Sequence, residues 1–303
     1  MRGAFSEALV RLALADPRVV LLTGDHGYAL FDDFRKQCPE RFINAGIAEQ
    51  NMVGMAAGLA RVGYRPFVYG LSAFVPVRVL EQIKLDIAHD DLPVVLLGDG
   101  AGFVYSHLGT SHQSTEDIAC TRAVPQLAVL SPADAFEMTA CMDLAYAMKA
   151  PVYLRMGKSD RGAVHEAPVA PIEAGRLLQI RSGSIGGLAL IATGSMVRTA
   201  LDVAVDGAAV WSAPSIKPLS SDDVCAAARG RSGVVVLEEH STTGGLGSAV
   251  AEILSERQPT RVLRIGVADR FSEHCGSYSY LLHEHGLDTE AVRQRIATFS
   301  ATV

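Results

Sequence analysis

The sequence lacks the features that would place the protein in a membrane, outside the cell or on a nucleic acid. No apolar run approaches the roughly 20 residues that a membrane span needs, and the first residues contain no apolar signal region. The formal net charge is -6, and no cluster of Lys and Arg offers a track for a phosphate backbone. These absences predict a cytoplasmic protein that acts on small molecules, without membrane or nucleic-acid partners.

Several common catalytic and structural signatures are also missing. The five cysteines are odd in number and have no CxxC spacing, which argues against a disulfide framework and against a zinc site. Glycines at positions 98, 100 and 102 follow a predicted strand, but position 103 is Phe, so the dinucleotide-binding spacing G-x-G-x-x-G fails. Neither G-x-S-x-G nor H-E-x-x-H occurs, which excludes the common hydrolase and metalloprotease motifs. We interpret Gly98-Asp99-Gly100 as a turn.

Short apolar runs alternate with amphipathic segments along the chain, a pattern typical of parallel α/β domains. A polar stretch rich in Gly and Pro interrupts this alternation, so we expect two parallel-sheet α/β domains, residues 1–165 and 187–303, joined by a linker over residues 166–186. Strands are predicted at 19–22, 66–69, 93–97, 126–130, 151–155, 188–193, 233–238 and 262–265. Helices are predicted at 4–15, 77–89, 196–205, 248–256 and 289–296, besides one that begins at Glu49.

Glu49 is a carboxylate at a position where the hydrophobic pattern predicts none. It begins a helix whose apolar face is formed by Met52, Met55, Ala56 and Leu59. Such a carboxylate either bonds the free N–H groups of the helix start or is partly desolvated and takes part in proton chemistry. The local sequence favours the capping interpretation.

Polar side chains follow two of the predicted strands at the edge where open α/β sheets bind ligands. Asp25 and His26 follow the first strand, although an Asp between glycines is more often a simple turn former. The loop at 105–117 is dense in polar groups and contains His107 and His112. No third His or Cys lies near these two histidines, so the sequence favours hydrogen bonds to a substrate over a metal site, and no metal ligands are predicted in this chain.

Arg155 and Lys158 follow the strand predicted at 151–155. Two cations at the end of a strand are suited to an anionic group such as phosphate. Solvated surface charge explains them equally well.

Six motifs occur in a fixed order along the chain, at residues 44–54, 70–83, 109–118, 132–134, 151–155 and 238–249. Their order and spacing resemble the transketolase family. The first five resemble its pyrimidine-binding domain and the last resembles its C-terminal domain, so the resemblance covers nearly the whole chain. The diphosphate-binding domain of full-length transketolases has no counterpart, so the chain resembles the C-terminal subunit of a split transketolase.

The resemblance implies thiamine diphosphate as the cofactor, with the diphosphate and Mg²⁺ held by an N-terminal partner subunit in an α2β2 assembly. It implies that Glu49 hydrogen-bonds the N1′ atom of the pyrimidine ring, that Phe74 packs on this ring, and that Ile47 and Arg78 line the cofactor. His112 would contact oxygens of the donor and of the reacting group. Contacts to the hydroxyls or the phosphate of a sugar are implied for Asp25, His26, His107, Arg155 and Lys158, with Arg2 as a further candidate.

Two departures from the family pattern fall in the implied sugar channel. The family's Glu-Asp-Gly is His107-Leu108-Gly109 in this sequence, and a family histidine is replaced by Gly100. Both changes remove polar contacts, so we expect a two-carbon ketol unit to pass from a ketose to an aldehyde other than a standard sugar phosphate, in specialised metabolism. Three alternatives stay open: the β subunit of a 2-oxo acid dehydrogenase E1, an enzyme similar to 1-deoxyxylulose-phosphate synthase, and a non-catalytic scaffold subunit.

Overall fold

The computed structural model describes residues 1–157 and 161–302, in which strands and helices alternate. The strands, in chain order, are β1 (Val19–Thr23), β2 (Phe42–Asn44), β3 (Arg65–Leu71), β4 (Val95–Asp99), β5 (Ala128–Leu130), β6 (Val152–Met156), β7 (Leu178–Arg181), β8 (Ala189–Ala192), β9 (Ala209–Ser212), β10 (Ser215–Lys217), β11 (Val234–Ser241) and β12 (Val262–Val267).

The helices surround the strands. In chain order they are α1 (Arg2–Ala15), α2 (Asp32–Gln37), α3 (Glu49–Arg61), α4 (Leu80–Gln82), α5 (Asp117–Arg122), α6 (Ala135–Ala147), α7 (Met196–Val203), α8 (Ser221–Ala228), α9 (Leu246–Arg257), α10 (Tyr278–Glu284) and α11 (Thr289–Ser300). Short 3₁₀ turns lie at Ala29–Phe31, Pro39–Arg41, Val77–Val79 and Ser106–Leu108, and a π-helical segment lies at Ile83–Ala88.

The strands form two sheets, with the orders β10-β5-β6-β4-β3-β1-β2 and β12-β11-β8-β9-β7. Neighbouring strands run parallel except at two edges, where β10 is antiparallel to β5 and β7 is antiparallel to β9. The predicted fold class, two parallel-sheet α/β domains, is confirmed.

The two antiparallel edge strands differ from the expected division of the chain. Strand β7 comes from the segment predicted as a linker, and β10 comes from the second half of the chain yet joins the first sheet. Both are short, and β7 is only partly buried. Short, half-exposed strands leave little hydrophobic periodicity in a sequence. The helix predicted at 77–89 is also more irregular than expected, because its turns change from 3₁₀ to α to π.

Strand β1 is buried on both faces, as its continuous apolar sequence predicts. Val20 and Leu22 pack in one apolar cluster with Met52 of α3. Val19 and Leu21 pack in a second cluster on the other face of the sheet, formed with α1 and α6. Burial of one such side chain contributes about 1.5–3 kcal/mol, so the sheet is the rigid support for the loops at its edge.

The loops that follow β1, β3, β4 and β6 leave the first sheet at one edge. The register pairs Thr23 with Tyr69, near the ends of β1 and β3. It also pairs Asp99, the last residue of β4, with Leu71 on one side and Met156 on the other. These strands therefore bring their loops together in space.

A buried ion pair holds one of these loops against the second sheet. Arg155 Nε donates to Asp117 Oδ2 over 2.7 Å, and the Tyr153 hydroxyl donates to the same oxygen over 2.7 Å. Arg155 Nη2 donates to the carbonyls of Ser114, in the 105–117 loop, and of Glu239, in β11. The Arg155 side chain is 3% exposed, which corrects the prediction that it contacts substrate. Its charge is met by Asp117, a partner that strand-end position alone does not reveal.

A second network joins the same loop to the C-terminal part of the chain. Ser272 Oγ donates to Gln113 Oε1 over 2.8 Å and lies 2.9 Å from His285 Nε2. The His285 ring stacks on Phe103 with centroids 4.7 Å apart. The sequence indicates a solvated stretch around His285, whereas the residue is buried at the end of α10. The 105–117 loop is thus fixed from two sides.

We expect Asp117→Asn to lower the free energy of unfolding by about 3–5 kcal/mol, because Arg155 keeps its charge in a buried place without a counter-ion. Urea unfolding followed by circular dichroism measures the change. Asp202→Asn is the matched control, because it removes a half-exposed pair with Arg198 whose contribution should be about 0.3–0.5 kcal/mol. Equal effects of the two substitutions would contradict the stabilising role of the buried pair.

The buried His285 predicts a loss of stability in mild acid. Burial, with Arg270 nearby, lowers the pKa of His285 below its ordinary value of 6.5. The unfolded chain therefore takes up a proton near pH 6.5 that the folded chain does not, so stability falls as the pH drops below that value. Between pH 7.5 and 5.5 the unmodified protein should therefore lose more stability than His285→Gln.

Urea unfolding at several pH values tests this difference. His283→Gln is the control, because the His283 ring is exposed on the same helix. If the unmodified protein and His285→Gln lose stability in parallel on acidification, the burial of a neutral imidazole does not affect folding.

Candidate active site

Glu49 is the first residue of α3, but its carboxylate does not cap the helix. Ala48 occupies the N-cap position, and no side chain there accepts a hydrogen bond from the helix. Glu49 is 5% exposed and turns its Oε1 towards Arg78, whose Nη1 lies 3.1 Å away. The contact is not aligned as a hydrogen bond, and Oε1 has no hydrogen-bond partner among the described residues. The capping interpretation is therefore wrong, because the carboxylate faces a cation outside the helix.

Phe74 and Arg78 lie in the turns that follow β3. The Phe74 N–H donates to the Leu71 carbonyl over 2.8 Å, and the Arg78 N–H donates to the Phe74 carbonyl over 3.1 Å. These bonds place the Arg78 guanidinium over the Phe74 ring, with its carbon 4.0 Å from the ring centroid. The same guanidinium thus contacts an aromatic face and the Glu49 carboxylate.

Two histidines lie beside the same aromatic ring. The His112 ring centroid is 5.3 Å from that of Phe74, and the His26 centroid is 6.4 Å from it. His112 Nδ1 lies 2.9 Å from Ser111 Oγ. His26 Nε2 is buried and has no hydrogen-bond partner in the described part of the chain. Segments that are far apart in sequence therefore bring a carboxylate, an aromatic ring, a guanidinium and two imidazoles to one place.

The other predicted site residues lie around this group with fewer contacts. Asp25 adopts a left-handed φ of 63° and exchanges two hydrogen bonds with Asn44, as a turn former does. Ile47 is 77% exposed, and His107 is exposed in a 3₁₀ turn. Lys158 lies outside the described residues. The structure therefore brings together Glu49, His26, Phe74, Arg78 and His112, and leaves Asp25, Ile47 and His107 at the rim.

Sequence reasoning misses a polar cluster around Asp99. The carboxylate, expected in a plain turn, is buried at the end of β4 and accepts hydrogen bonds from the hydroxyls of Tyr69 and Tyr105. Arg2, on α1, lies beside it. The signal that could have found it is the rule applied to Asp25, since Asp99 also ends a buried strand at the ligand-binding edge.

The glycine-rich turn before α9 does not offer an open anion site. The main-chain N–H groups of Leu246 and Gly247 donate to the Glu238 carboxylate over 2.7 and 2.8 Å. The free N–H groups at this helix start are therefore satisfied by a carboxylate of the chain itself.

Among residues 1–157 and 161–302, no group of three or more His, Cys, Asp or Glu side chains is placed to hold a metal ion.

No helix in the same ranges is both long enough and apolar enough to cross a bilayer.

Comparisons with known proteins agree with the motifs and the fold. The family model described as "Transketolase, pyrimidine binding domain" matches residues 1–162, and "Transketolase, C-terminal domain" matches residues 184–292. The chain is 35% identical over 298 residues to one of the subunits of an apulose-4-phosphate transketolase from Phocaeicola vulgatus, covering 96% of this chain and 94% of the relative.

Two further similarities show how much of an enzyme the chain represents. It is 37% identical to "1-deoxy-D-xylulose-5-phosphate synthase" of Chlorobium luteolum, but it spans only 48% of that protein. A solved structure described as "Split gene transketolase, inactive beta4 tetramer" matches with a TM-score of 0.88 and 37% identity, over 98% of this chain and 96% of that one. The family implies dependence on thiamine diphosphate. The resemblance seen in the motifs is confirmed: the chain belongs to the transketolase family.

Proposed function

We propose that the chain is the C-terminal subunit of a two-component, thiamine-diphosphate-dependent transketolase. The observation that carries the proposal is the buried Glu49 carboxylate, whose Oε1 has no hydrogen bond among the described residues and faces the Arg78 guanidinium that lies over the Phe74 ring. A partly desolvated acid near a half-buried aromatic ring is suited to bind and polarise a flat, nitrogen-bearing ring. The proposed division into residues 1–165, 166–186 and 187–303 and the cytoplasmic location belong to the same proposal.

The position of the Arg78 guanidinium between Phe74 and Glu49 supports the binding of a pyrimidine ring at this place. The Arg78 guanidinium, itself flat and nitrogen-bearing, lies 4.0 Å from the Phe74 centroid and 3.1 Å from Glu49 Oε1. The Arg78 side chain is 46% exposed, so it has room to turn towards solvent when a ring enters. Phe74 would then pack on the pyrimidine, Glu49 would hold N1′, and Ile47 and Arg78 would line the ring.

Bound thiamine diphosphate supplies the nucleophilic carbon for a ketose carbonyl and retains the electron pair of the cleaved C–C bond. The residues of this chain bind and orient the cofactor and the sugars, and they exchange protons with them. Glu49 holds a proton against N1′. His112 and His26, both beside Phe74, would donate to or accept from the oxygens of the donor and the acceptor. Asp25, His107 and Lys158 are proposed to contact the rest of the sugar.

A partner subunit would complete the site. The ligands for the diphosphate and Mg²⁺ are expected on an N-terminal diphosphate-binding subunit, in an α2β2 assembly. Support comes from large apolar side chains exposed on segments next to the site, namely Tyr28, Ile47, Leu108 and Phe271. Large apolar side chains exposed near a site are typical of a surface that a partner covers.

The acceptor is proposed to be an aldehyde other than a standard sugar phosphate. The replacement of acidic and histidine positions by Leu108 and Gly100 supports this. The relative from Phocaeicola vulgatus is itself named for one particular sugar, apulose 4-phosphate. A 1-deoxyxylulose-phosphate-synthase-like activity is the second candidate, favoured by the identity of 37% to half of such an enzyme. Decarboxylation of a 2-oxo acid other than hydroxypyruvate by the reconstituted complex would favour that candidate, or an E1 β subunit.

Glu49→Gln in the reconstituted complex should lower kcat at least about 100-fold, because an amide cannot exchange the proton that N1′ requires. Transfer of a two-carbon unit to aldehydes, followed by chromatography of the ketose products, measures the effect. Glu40→Gln is the matched control, since Glu40 is an exposed carboxylate on a surface turn. Full activity of Glu49→Gln would instead identify the chain as a non-catalytic scaffold.

The isolated chain should show no transferase activity and should bind Mg²⁺–thiamine diphosphate weakly, because the diphosphate ligands are proposed to lie on the partner. Calorimetric titration of the chain, of the partner and of their mixture measures the affinity, and light scattering measures the mass of the complex. Cofactor affinity of the isolated chain equal to that of the mixture would overturn the two-component proposal.

A further inference from the structure

Asp99 organises a cluster of polar side chains at the carboxyl edge of the first sheet. Its Oδ2 accepts from the Tyr69 hydroxyl over 2.6 Å and from the Tyr105 hydroxyl over 3.2 Å. Arg2 Nε lies 3.6 Å from the same oxygen, and Arg2 Nη2 donates to the Tyr69 hydroxyl over 3.5 Å. The Arg2 side chain is 55% exposed, so the cluster reaches the surface through it.

Gly100 makes room for the Tyr105 ring. A Cβ atom at position 100 would lie 2.0 Å from Tyr105 Cε2 and 2.4 Å from Cδ2. Gly100 also has a φ of +78°, which side chains rarely allow. A histidine at position 100, as the family resemblance places it, is therefore incompatible with this position of Tyr105. The Tyr105 ring therefore occupies the space that a side chain at position 100 would need.

The cluster lies between two segments of the candidate active site. The Asp99 carbonyl accepts from the Ser72 N–H over 2.7 Å, at the start of the turn that leads to Phe74. The Tyr105 carbonyl accepts from the Leu108 N–H over 3.0 Å, at the start of the loop that leads to His112. Asp99 and Tyr105 thus fix both segments that bring aromatic and imidazole groups into the site.

The charges of the cluster favour a neutral ligand over a dianion. Burial and the nearby Asp99 carboxylate raise the pKa of Tyr105 to about 12, so the phenol stays protonated at neutral pH. Asp99 compensates the charge of Arg2 and would repel a phosphate placed at the same point. A hydroxyl group, in contrast, can donate to a carboxylate oxygen and accept from a guanidinium or a phenol.

We propose that Tyr105, held by Asp99 beside Arg2, is a specificity-determining residue that recognises the hydroxyl groups of the sugar chain, and that Asp99 makes this corner disfavour phosphate. This rests on the proposed function, because the ligand is the sugar whose C–C bond is cleaved or formed. Tyr105 contacts the sugar, and Asp99 acts as a positioning residue through Tyr105 and Arg2.

Two variants of the reconstituted complex test the proposal, with hydroxypyruvate as the two-carbon donor and D-erythrose or D-erythrose 4-phosphate as the acceptor. In this reaction CO₂ leaves the donor, the freed electron pair forms the new C–C bond, and solvent protonates the product alkoxide. Tyr105→Phe should raise the KM for D-erythrose about 10-fold, with kcat nearly unchanged, because one hydrogen bond to the acceptor is lost. Asp99→Asn should lower the KM for the phosphate ester relative to that for the free sugar.

Tyr64→Phe is the control, because Tyr64 is partly exposed after α3. An unchanged KM for D-erythrose in Tyr105→Phe, or equal effects of Asp99→Asn on both acceptors, overturns the proposal.

Binding of unreactive analogues separates this proposal from the proposed function. Saturation-transfer NMR of the complex with erythritol and with erythritol 4-phosphate needs no turnover. Weaker erythritol binding in Tyr105→Phe supports recognition by Tyr105 even if no transfer is catalysed, whereas a complex without transfer would refute the transketolase activity alone. Tighter binding of the phosphate ester than of erythritol by the unmodified complex, unaltered in both variants, overturns the recognition of hydroxyls.

Discussion

The Glu49 carboxylate is the constraint on which the candidate site depends. A carboxylate that is 5% exposed must meet a donor or a cation, since an unpaired buried charge costs several kcal/mol. Within the described residues, the helix start does not meet it, and Arg78 approaches it from the side of Phe74. The charge of the Glu49 carboxylate is therefore compensated by the half-exposed Arg78 side chain, which a ligand can replace.

The second domain explains how the loop with His112 is held although the residues proposed to act lie in the first domain. Arg155 fastens the loop to the carbonyl of Glu239, and the Ser241 N–H donates to the Thr115 carbonyl over 2.7 Å. Gln113 receives a further hydrogen bond from Ser272. The C-terminal domain thus restrains the loop that carries His112. Substitutions at this interface should alter catalysis although the substituted residues do not contact substrate.

The sequence predicts the parts of the molecule that depend on local patterns. The buried strand at 19–22, the helix beginning at Glu49 and the gathering of loops at one sheet edge follow from periodicity and from parallel topology. The burial of Arg155, His285 and Asp99 does not follow from such patterns, because burial of a charged or polar residue depends on partners far away in the chain. Arg155 and Asp117 are 38 residues apart, and Ser272 reaches Gln113 across 159 residues. Such pairs cannot be predicted from the spacing of residues along the chain.

Chemistry and specificity are set by different residues of the same edge. Glu49, Phe74 and His112 surround the proposed cofactor position, and their motifs match the family pattern. The Tyr105 ring occupies the space that a side chain at position 100 would need. A histidine at position 100 is therefore incompatible with this position of Tyr105. A change at either position alone would leave a void or a steric clash beside Asp99. The two residues therefore act as one unit, and the proposed recognition of the acceptor depends on this pair rather than on the groups proposed to bind the cofactor.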